Sequence, residues 1–253
     1  MARACRPAPL ERYHDALSKL VRVDDNGVVY DQFGRPWDRE GFAHFKFGWL
    51  PYARRIARQM ADEIALHLWK LAQGRRILIV SAPYKFLPTA SHAIADYLRQ
   101  ELAIRAIKEG IEPPVLVPFH KDKAGDSSYA KGDLALREAT LASLGLHIDE
   151  SLIPGSVILV VDDIKVFGTA EKATANYLEP LRPFAIWYLH GAQVSDALAH
   201  SIEGFENQLN DSVAHTPDVI LEQVKMGEFR LNTRVLRHLL ELPYLEFNLF
   251  VRM

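Results

Sequence analysis

The chain has almost no sulfur with which to cross-link itself. One cysteine, Cys5, in 253 residues excludes an internal disulfide and fits a reducing compartment, so a cytoplasmic location is expected. Long hydrophobic runs are also missing. No stretch approaches the roughly 20 apolar residues of a membrane span, and MARACRPAPLERYHD holds no apolar run of signal-peptide length, so no membrane partner is expected. There is no excess of one charge: 30 basic against 32 acidic residues leave a formal charge of −2. That balance implies no general affinity for nucleic acid or acidic lipid. The ten histidines include no HxH, no HExxH and no cysteine partner, which excludes the common zinc patterns. Internal repeats and low-complexity segments are absent. What remains is an ordinary globular composition, 49% hydrophobic and 25% charged.

Against that background one stretch stands out. Val157-Ile-Leu-Val-Val161 is a mostly β-branched run and reads as a strand buried on both faces of a parallel sheet. Asp162-Asp163 follow at once, then Gly168-Thr169, and a helical pattern opens at Ala170. A helix start offers free N–H groups and the positive end of a dipole, so this turn suits an anion. Carboxylates at the carboxyl end of a strand lie where open α/β sheets bind ligands. They can hold ribose hydroxyls or a hydrated magnesium ion, or simply cap the helix behind a buried strand.

Other strand-like runs alternate with helical patterns. Arg76–Val80 and a strand near Val115–Pro118 precede the central run, and Phe184–Leu189 follows it. Helices are expected over about Pro51–Gln73, Thr89–Leu102 with Thr89 as its cap, Leu134–Leu144 and Ala170–Leu178. This alternation predicts an α/β fold, a Rossmann-like parallel sheet with flanking helices. Leu10–Val21 has weak helical spacing. Asp25-Asn26-Gly27 is a turn signal before a short strand at Val28–Tyr30, and Phe33–Pro36 is a second turn. Beyond Ser195 helical spacing is expected over Ala197–Gln208, Val219–Val224 and Arg234–Leu240, with a terminal strand over Leu245–Val251. The expected organisation is an N-terminal appendage over residues 1–50, an α/β core over 51–195 and a mostly helical extension over 196–253. Lys46 and Trp49 are expected at the surface.

Three further segments carry candidate chemistry. Ala82-Pro83-Tyr84-Lys85-Phe86 follows the first strand and offers an anion Lys85 and the amides of Tyr84 and Phe86. The Gly-, Ser-, Asp- and Lys-rich stretch from His120 to Gly132 reads as a mobile loop carrying Lys121, Lys123, Tyr129 and Lys131. His190-Gly191-Ala192-Gln193 ends the strand at Phe184–Leu189, on the same edge as the other loops.

From Arg76 to Gln193 this pattern resembles the type I phosphoribosyltransferases. In that family a hydrophobic strand runs into two acidic residues and then a hydroxyl- and glycine-rich 5-phosphate loop. Asp162-Asp163 and the interval to Gly168 match; Phe167 and Ala170 stand where the family usually has hydroxyls, and Thr169 is the only hydroxyl left. The altered loops resemble those of divergent members encoded among bacterial tellurite-resistance and stress gene clusters. The resemblance implies Mg2+ and phosphoribosyl pyrophosphate as ligands, with phosphoribosyl transfer to a nitrogenous base or related acceptor and release of pyrophosphate. It implies that Asp162 and Asp163 hold the ribose hydroxyls and meet the metal through the substrate. Lys165, Val166, Phe167, Gly168 and Thr169 would surround the 5-phosphate. Ala82, Pro83, Tyr84 and Lys85 would face the pyrophosphate, with Lys121 and Lys123 brought in by loop closure. His190 would touch the base or acceptor, the appendage would act as a hood, and a homodimer is left open. Two other readings stay open: a nucleotide-sensing or interaction protein that keeps the fold without turnover, and an unrelated α/β enzyme using the acidic pair for magnesium alone.

Overall fold

The computed structural model describes residues 10–123, 145–202, 204–213 and 216–243. The expected helix at 134–144, the terminal strand at 245–251, and Tyr129 and Lys131 lie outside them.

Seven of the described strands form one sheet. At its centre lies β8 (Val157–Lys165), paired in parallel with β4 (Ile77–Ser81) on one side and β9 (Ala185–Val194) on the other. Beyond β4 lies β5 (Val115–Leu116), also parallel. Val157 to Val161 are all buried. Each such side chain contributes about 1.5–3 kcal/mol of hydrophobic transfer energy, which favours the most covered position in the sheet. One face packs Ile77, Ile79, Val157, Leu159, Val161, Trp187 and Leu189 against α2 (Leu50–Ala72) and α3 (Ser91–Lys108). The other face packs Leu78, Val80, Ile158, Val160, Ile186 and Tyr188 with Leu178 of α4 (Thr169–Leu178). Further along, Ile164, Ala192 and Val194 rejoin the first cluster, so the alternation slips by one position at the acidic pair.

The free edge of β9 is closed by the N-terminal segment. β1 (Glu11–Ala16) and β2 (Lys19–Val23) both run parallel to β9, and β3 (Val29–Asp31) folds back antiparallel on β2. This corrects the helical reading of Leu10–Val21. The unpaired N–H and C=O groups along β9 impose extended structure on a segment whose own helical signal is weak. α1 (Arg39–Lys46), capped by Asp38, then leads into α2. Pro51 stands in the first turn of α2, and Gln73 ends the helix in the left-handed region with φ 40°.

Several boundaries differ from expectation. β8 does not stop at Val161 but continues through Asp162-Asp163 to Lys165. β9 continues to Val194, so His190 to Gln193 are strand residues and not a loop. In both strands backbone pairing to the neighbour outweighs polar composition. α3 begins at Ser91, not Thr89: Thr89 Oγ1 meets Ser91 Oγ (3.0 Å) and caps no amide, and the His92 and Ala93 amides bond instead to the Thr89 and Ala90 carbonyls. His120-Lys121 form β6, antiparallel to β7 (Leu146–His147), so these two residues are the stem of a ribbon and not free loop. The expected helix over Ala197–Gln208 is two short ones, α5 (Asp196–Ser201) and α6 (Phe205–Asn210), the second opening after Gly204 at φ +64°. α7 (Pro217–Lys225) and α8 (Thr233–Glu241) complete the described chain. No described helix is long and apolar enough to cross a membrane.

Candidate functional site

The parallel register aligns the carboxyl ends of three strands. Ser81 lies opposite Val161, and Asp162 lies opposite His190. The segment after β4, the acidic pair of β8 and His190 of β9 therefore share one edge.

The acidic pair is not symmetric. Asp163 is buried, and its Oδ2 accepts a hydrogen bond from Lys46 Nζ at 2.8 Å, with the two side chains only 7% and 11% exposed. Asp162 is half-buried, and its Oδ1 accepts from the Asp163 amide at 2.9 Å. Burial, and then the adjacent Asp163 carboxylate, push the Asp162 carboxyl well above the ordinary carboxylate range. Gly191 is required beside them. A Cβ there would stand 2.8 Å from the Asp163 carbonyl oxygen and 3.5 Å from Ile56 Cγ2, so the absence of a side chain lets β9 and α2 close on the pair.

Lys46 is the correction to the surface position expected of it. It ends α1, sits inside the chain, and holds its ammonium 5.4 Å from the centre of the Phe42 ring. One sequence signal could have placed it: a lysine between Phe45 and Phe47, both buried, has an apolar stem environment and a charge that needs a buried partner.

Beyond the pair, a glycine-bearing loop leads into a helix, as the spacing predicts. Gly168 adopts φ +69° and leads into α4, whose first residue is Thr169. The loop is occupied by side chains. Lys165 folds over it, with Cε 3.2 Å from where a Gly168 Cβ would be, and its Nζ meets Glu171 Oε2 at 2.8 Å. Glu171 also receives His14 Nδ1 on Oε1 at 3.0 Å, and His190 Nε2 stands 3.8 Å from Oε2. Burial holds the His190 imidazole down to about 4, so it is neutral at pH 7. His190 therefore faces Glu171 in the sheet interior, 5% exposed. Val166 is buried, and Phe167 packs edge-on to His200 with ring centres 5.3 Å apart. Sequence reasoning did not single out Glu171 or His14; the contact between them depends on β1 pairing with β9, which no motif announces.

On the far side of the pair, Ala82 and Pro83 are half-buried and Tyr84 is buried. The Tyr84 amide donates to the Phe119 carbonyl (3.1 Å), and its carbonyl accepts from the Lys121 amide (3.0 Å). Lys85 is exposed, its Nζ 4.9 Å from the centre of the Phe86 ring. Lys121 is half-buried. Burial, with Arg237 nearby, holds its ammonium below the ordinary lysine range. Lys123 is exposed. The structure thus brings Lys165 and His190 to Glu171 and Asp163 to Lys46, and links Tyr84 to Lys121 through the ribbon stem.

The C-terminal segment braces both walls. Asn232 Nδ2 donates to the Lys46 carbonyl (3.2 Å), the Arg230 amide to Gly48 (2.9 Å), and the Leu50 amide to Glu228 (2.9 Å). Thr233 Oγ1 donates to the Leu87 carbonyl at 2.6 Å, on the segment leading into α3.

The sequence profile of the PRTase ComF-like family matches residues 26–253, nearly the whole chain. The chain belongs to that family. It is thus a phosphoribosyltransferase-like protein, a divergent member of the type I fold. A comparison with curated proteins gave no match. Among solved structures, a hypoxanthine phosphoribosyltransferase from Staphylococcus aureus is similar at 14% identity and TM-score 0.36, over 56% of this chain and 76% of that one. A hypoxanthine-guanine phosphoribosyltransferase from Bacillus anthracis is similar at 15% identity and TM-score 0.36, over 56% and 79%. The enzyme of the same name from L. donovani is similar at 14% identity and TM-score 0.34, over 60% and 67%.

The described residues hold no group of three or more His, Cys, Asp or Glu side chains able to bind a metal. With Asp163 engaged by Lys46, Asp162 is the member of the pair left to meet a ligand or a metal ion.

Proposed function

We propose that the chain binds magnesium phosphoribosyl pyrophosphate at the carboxyl end of β8 and transfers its phosphoribosyl group to a nitrogenous acceptor, releasing pyrophosphate. The observation that carries this reading is the acidic pair, asymmetrically buried at the end of the central strand and followed by Gly168 at φ +69° at the mouth of α4 in a chain of this family. Asp162 is the partly exposed member and would accept the ribose hydroxyls; its raised proton affinity makes it responsive to a cation arriving with the substrate. The helix start at Thr169 would face the 5-phosphate. A bound magnesium ion would neutralise charge on the leaving pyrophosphate. The protein's part is to hold the two reactants in line and to screen the ribosyl centre from water.

One observation favours a second reading, ligand binding without turnover. The Tyr84 amide, one of the two backbone donors expected to face the pyrophosphate, is already committed to Phe119. Calorimetric titration of phosphoribosyl pyrophosphate, with and without Mg2+, tests the site. Binding by wild type that Asp162→Asn/Asp163→Asn loses supports it, and a well-folded wild type that does not bind refutes it. Pyrophosphate release across a panel of nitrogenous acceptors then separates transfer from sensing.

A further inference from the structure

The lysine on Asp163 goes beyond what the site as a ligand cradle requires. We propose that Lys46 is a resident cation of the acidic pair, a positioning residue that neutralises Asp163 and keeps free divalent metal out, so that metal enters only with its substrate. The proposal rests on the site being the one described above.

Two adjacent carboxylates on a strand end, with Glu206 close enough to act on Asp162, would by charge alone attract a divalent ion. The ammonium of Lys46 already occupies the Asp163 side of that position. Its Nζ is 2.8 Å from Oδ2, and neither side chain is more than 11% exposed. A metal binding Asp163 must either share the carboxylate with this ammonium, against like-charge repulsion, or displace a buried lysine that lies against the Phe42 ring.

The backbone shows that this lysine is held in place. Its carbonyl accepts from Asn232, itself 3% exposed. Two residues on, Gly48 adopts φ +97°, and a Cβ there would stand 2.7 Å from the Arg230 carbonyl oxygen. The strap at 228–232 therefore lies directly on the turn that carries Lys46 out of α1. Contacts across about 180 residues of sequence, between Gly48 and Arg230 or Lys46 and Asn232, fix the approach of one ammonium.

The test uses Mn2+ as the probe, read by electron paramagnetic resonance and calorimetry without substrate, on the full chain. Wild type and Lys46→Arg should bind Mn2+ equally weakly. Lys46→Met, shown folded by circular dichroism and a thermal melt, should bind at least about tenfold more tightly, and Lys46→Met/Asp163→Asn should lose that gain. A folded Lys46→Met no tighter than wild type overturns the proposal. If Lys46→Met does not fold, Asp163→Asn alone decides. Unchanged Mn2+ affinity relative to wild type supports a blocked Asp163, and a fall of about tenfold or more means the metal reaches Asp163 despite Lys46. Titration of phosphoribosyl pyrophosphate into wild type is scored separately. Its failure would remove the proposed substrate while the Mn2+ result still decides what Lys46 does.

Discussion

Glu171→Gln should tighten binding of a sugar phosphate while weakening the fold. Lys165 leans over the loop at Gly168 but spends its charge on Glu171 at 2.8 Å, with the two side chains 21% and 14% exposed. A phosphate at the start of α4 must either do without Lys165 or take it from Glu171. It must also tolerate the Glu171 carboxylate in the same first helical turn. At an effective dielectric of 20 and a separation near 4 Å, each unit-charge interaction is worth about 4 kcal/mol before desolvation. Lost hydration and side-chain ordering consume most of that, leaving a net gain of about 1–2 kcal/mol, or roughly five- to thirtyfold in affinity. The opposing cost is stability. A carboxylate in the first turn of a helix contributes about 0.3–1 kcal/mol, and the His14 contact goes with it. Calorimetry with ribose 5-phosphate on wild type, Glu171→Gln and Glu171→Gln/Lys165→Met reads the affinity, and urea titration reads the stability. Unchanged or weaker binding in a folded Glu171→Gln would refute the reasoning, as would a double variant that keeps the full gain.

Three other perturbations follow from the same geometry. The His190 imidazole is depressed to about 4 by burial. The folded state therefore refuses a proton that the unfolded chain takes up near pH 6.5. Stability should be full above that pH and fall by about 2–3 kcal/mol on acidification to pH 4.5; His190→Gln should flatten that slope in urea titrations at the two pH values, and an identical slope would count against it. Asp162 has the opposite sign. Its folded-state carboxyl is raised, so its ionisation costs stability as pH climbs from about 4. Asp162→Asn should therefore leave the melting temperature near wild type at pH 4 and raise it at pH 8, and a lower melting temperature at pH 8 would contradict it. Gly191→Ala places a methyl group 2.8 Å from the Asp163 carbonyl oxygen. It should cost about 1–3 kcal/mol and displace the acidic pair, so a variant with wild-type stability in urea would mean that the strands yield without strain.

The sheet's centre was legible because burial writes itself into composition. Val157–Val161 and Ile77–Val80 have no polar residue, and only a strand covered on both faces accepts such a run. The long helix at Leu50–Ala72 was legible for the same reason, through its apolar spacing and Pro51. Gly168 before α4 was readable because its left-handed backbone favours a residue without a Cβ. The edge of the sheet was not. β1 carries Glu11, Arg12 and His14, and nothing local marks it as a strand. It becomes one because β9 has backbone groups to satisfy. The polar ends of β8 and β9 escaped for a related reason. Asp162-Asp163 and His190 look like loop residues by composition, and the continued pairing of β8 with β9, and of β1 with His190, keeps them extended.

That misreading bears on the site itself. Had β8 ended at Val161, the acidic pair would stand in a loop, both carboxylates in water and open to any cation. Because the strand runs on to Lys165, the pair is held on the sheet at the position where its alternation slips, and only one member keeps access to solvent. The buried member then needs a permanent counter-charge, since an isolated carboxylate in that position would cost several kcal/mol. Lys46 meets that need, and the strap at 228–232 bonds to the turn after α1 that carries it. The C-terminal segment is thus tied to Asp163 through Lys46. A change at Asn232 should therefore reach Asp163 before it reaches the phosphate loop. Asn232→Ala, which also removes the cap of α8, should cost about 1–2 kcal/mol of stability. It should raise Mn2+ affinity at the pair in the same direction as Lys46→Met, by less. A loss of stability with no change at the metal probe would mean that Lys46 finds Asp163 without help from the strap.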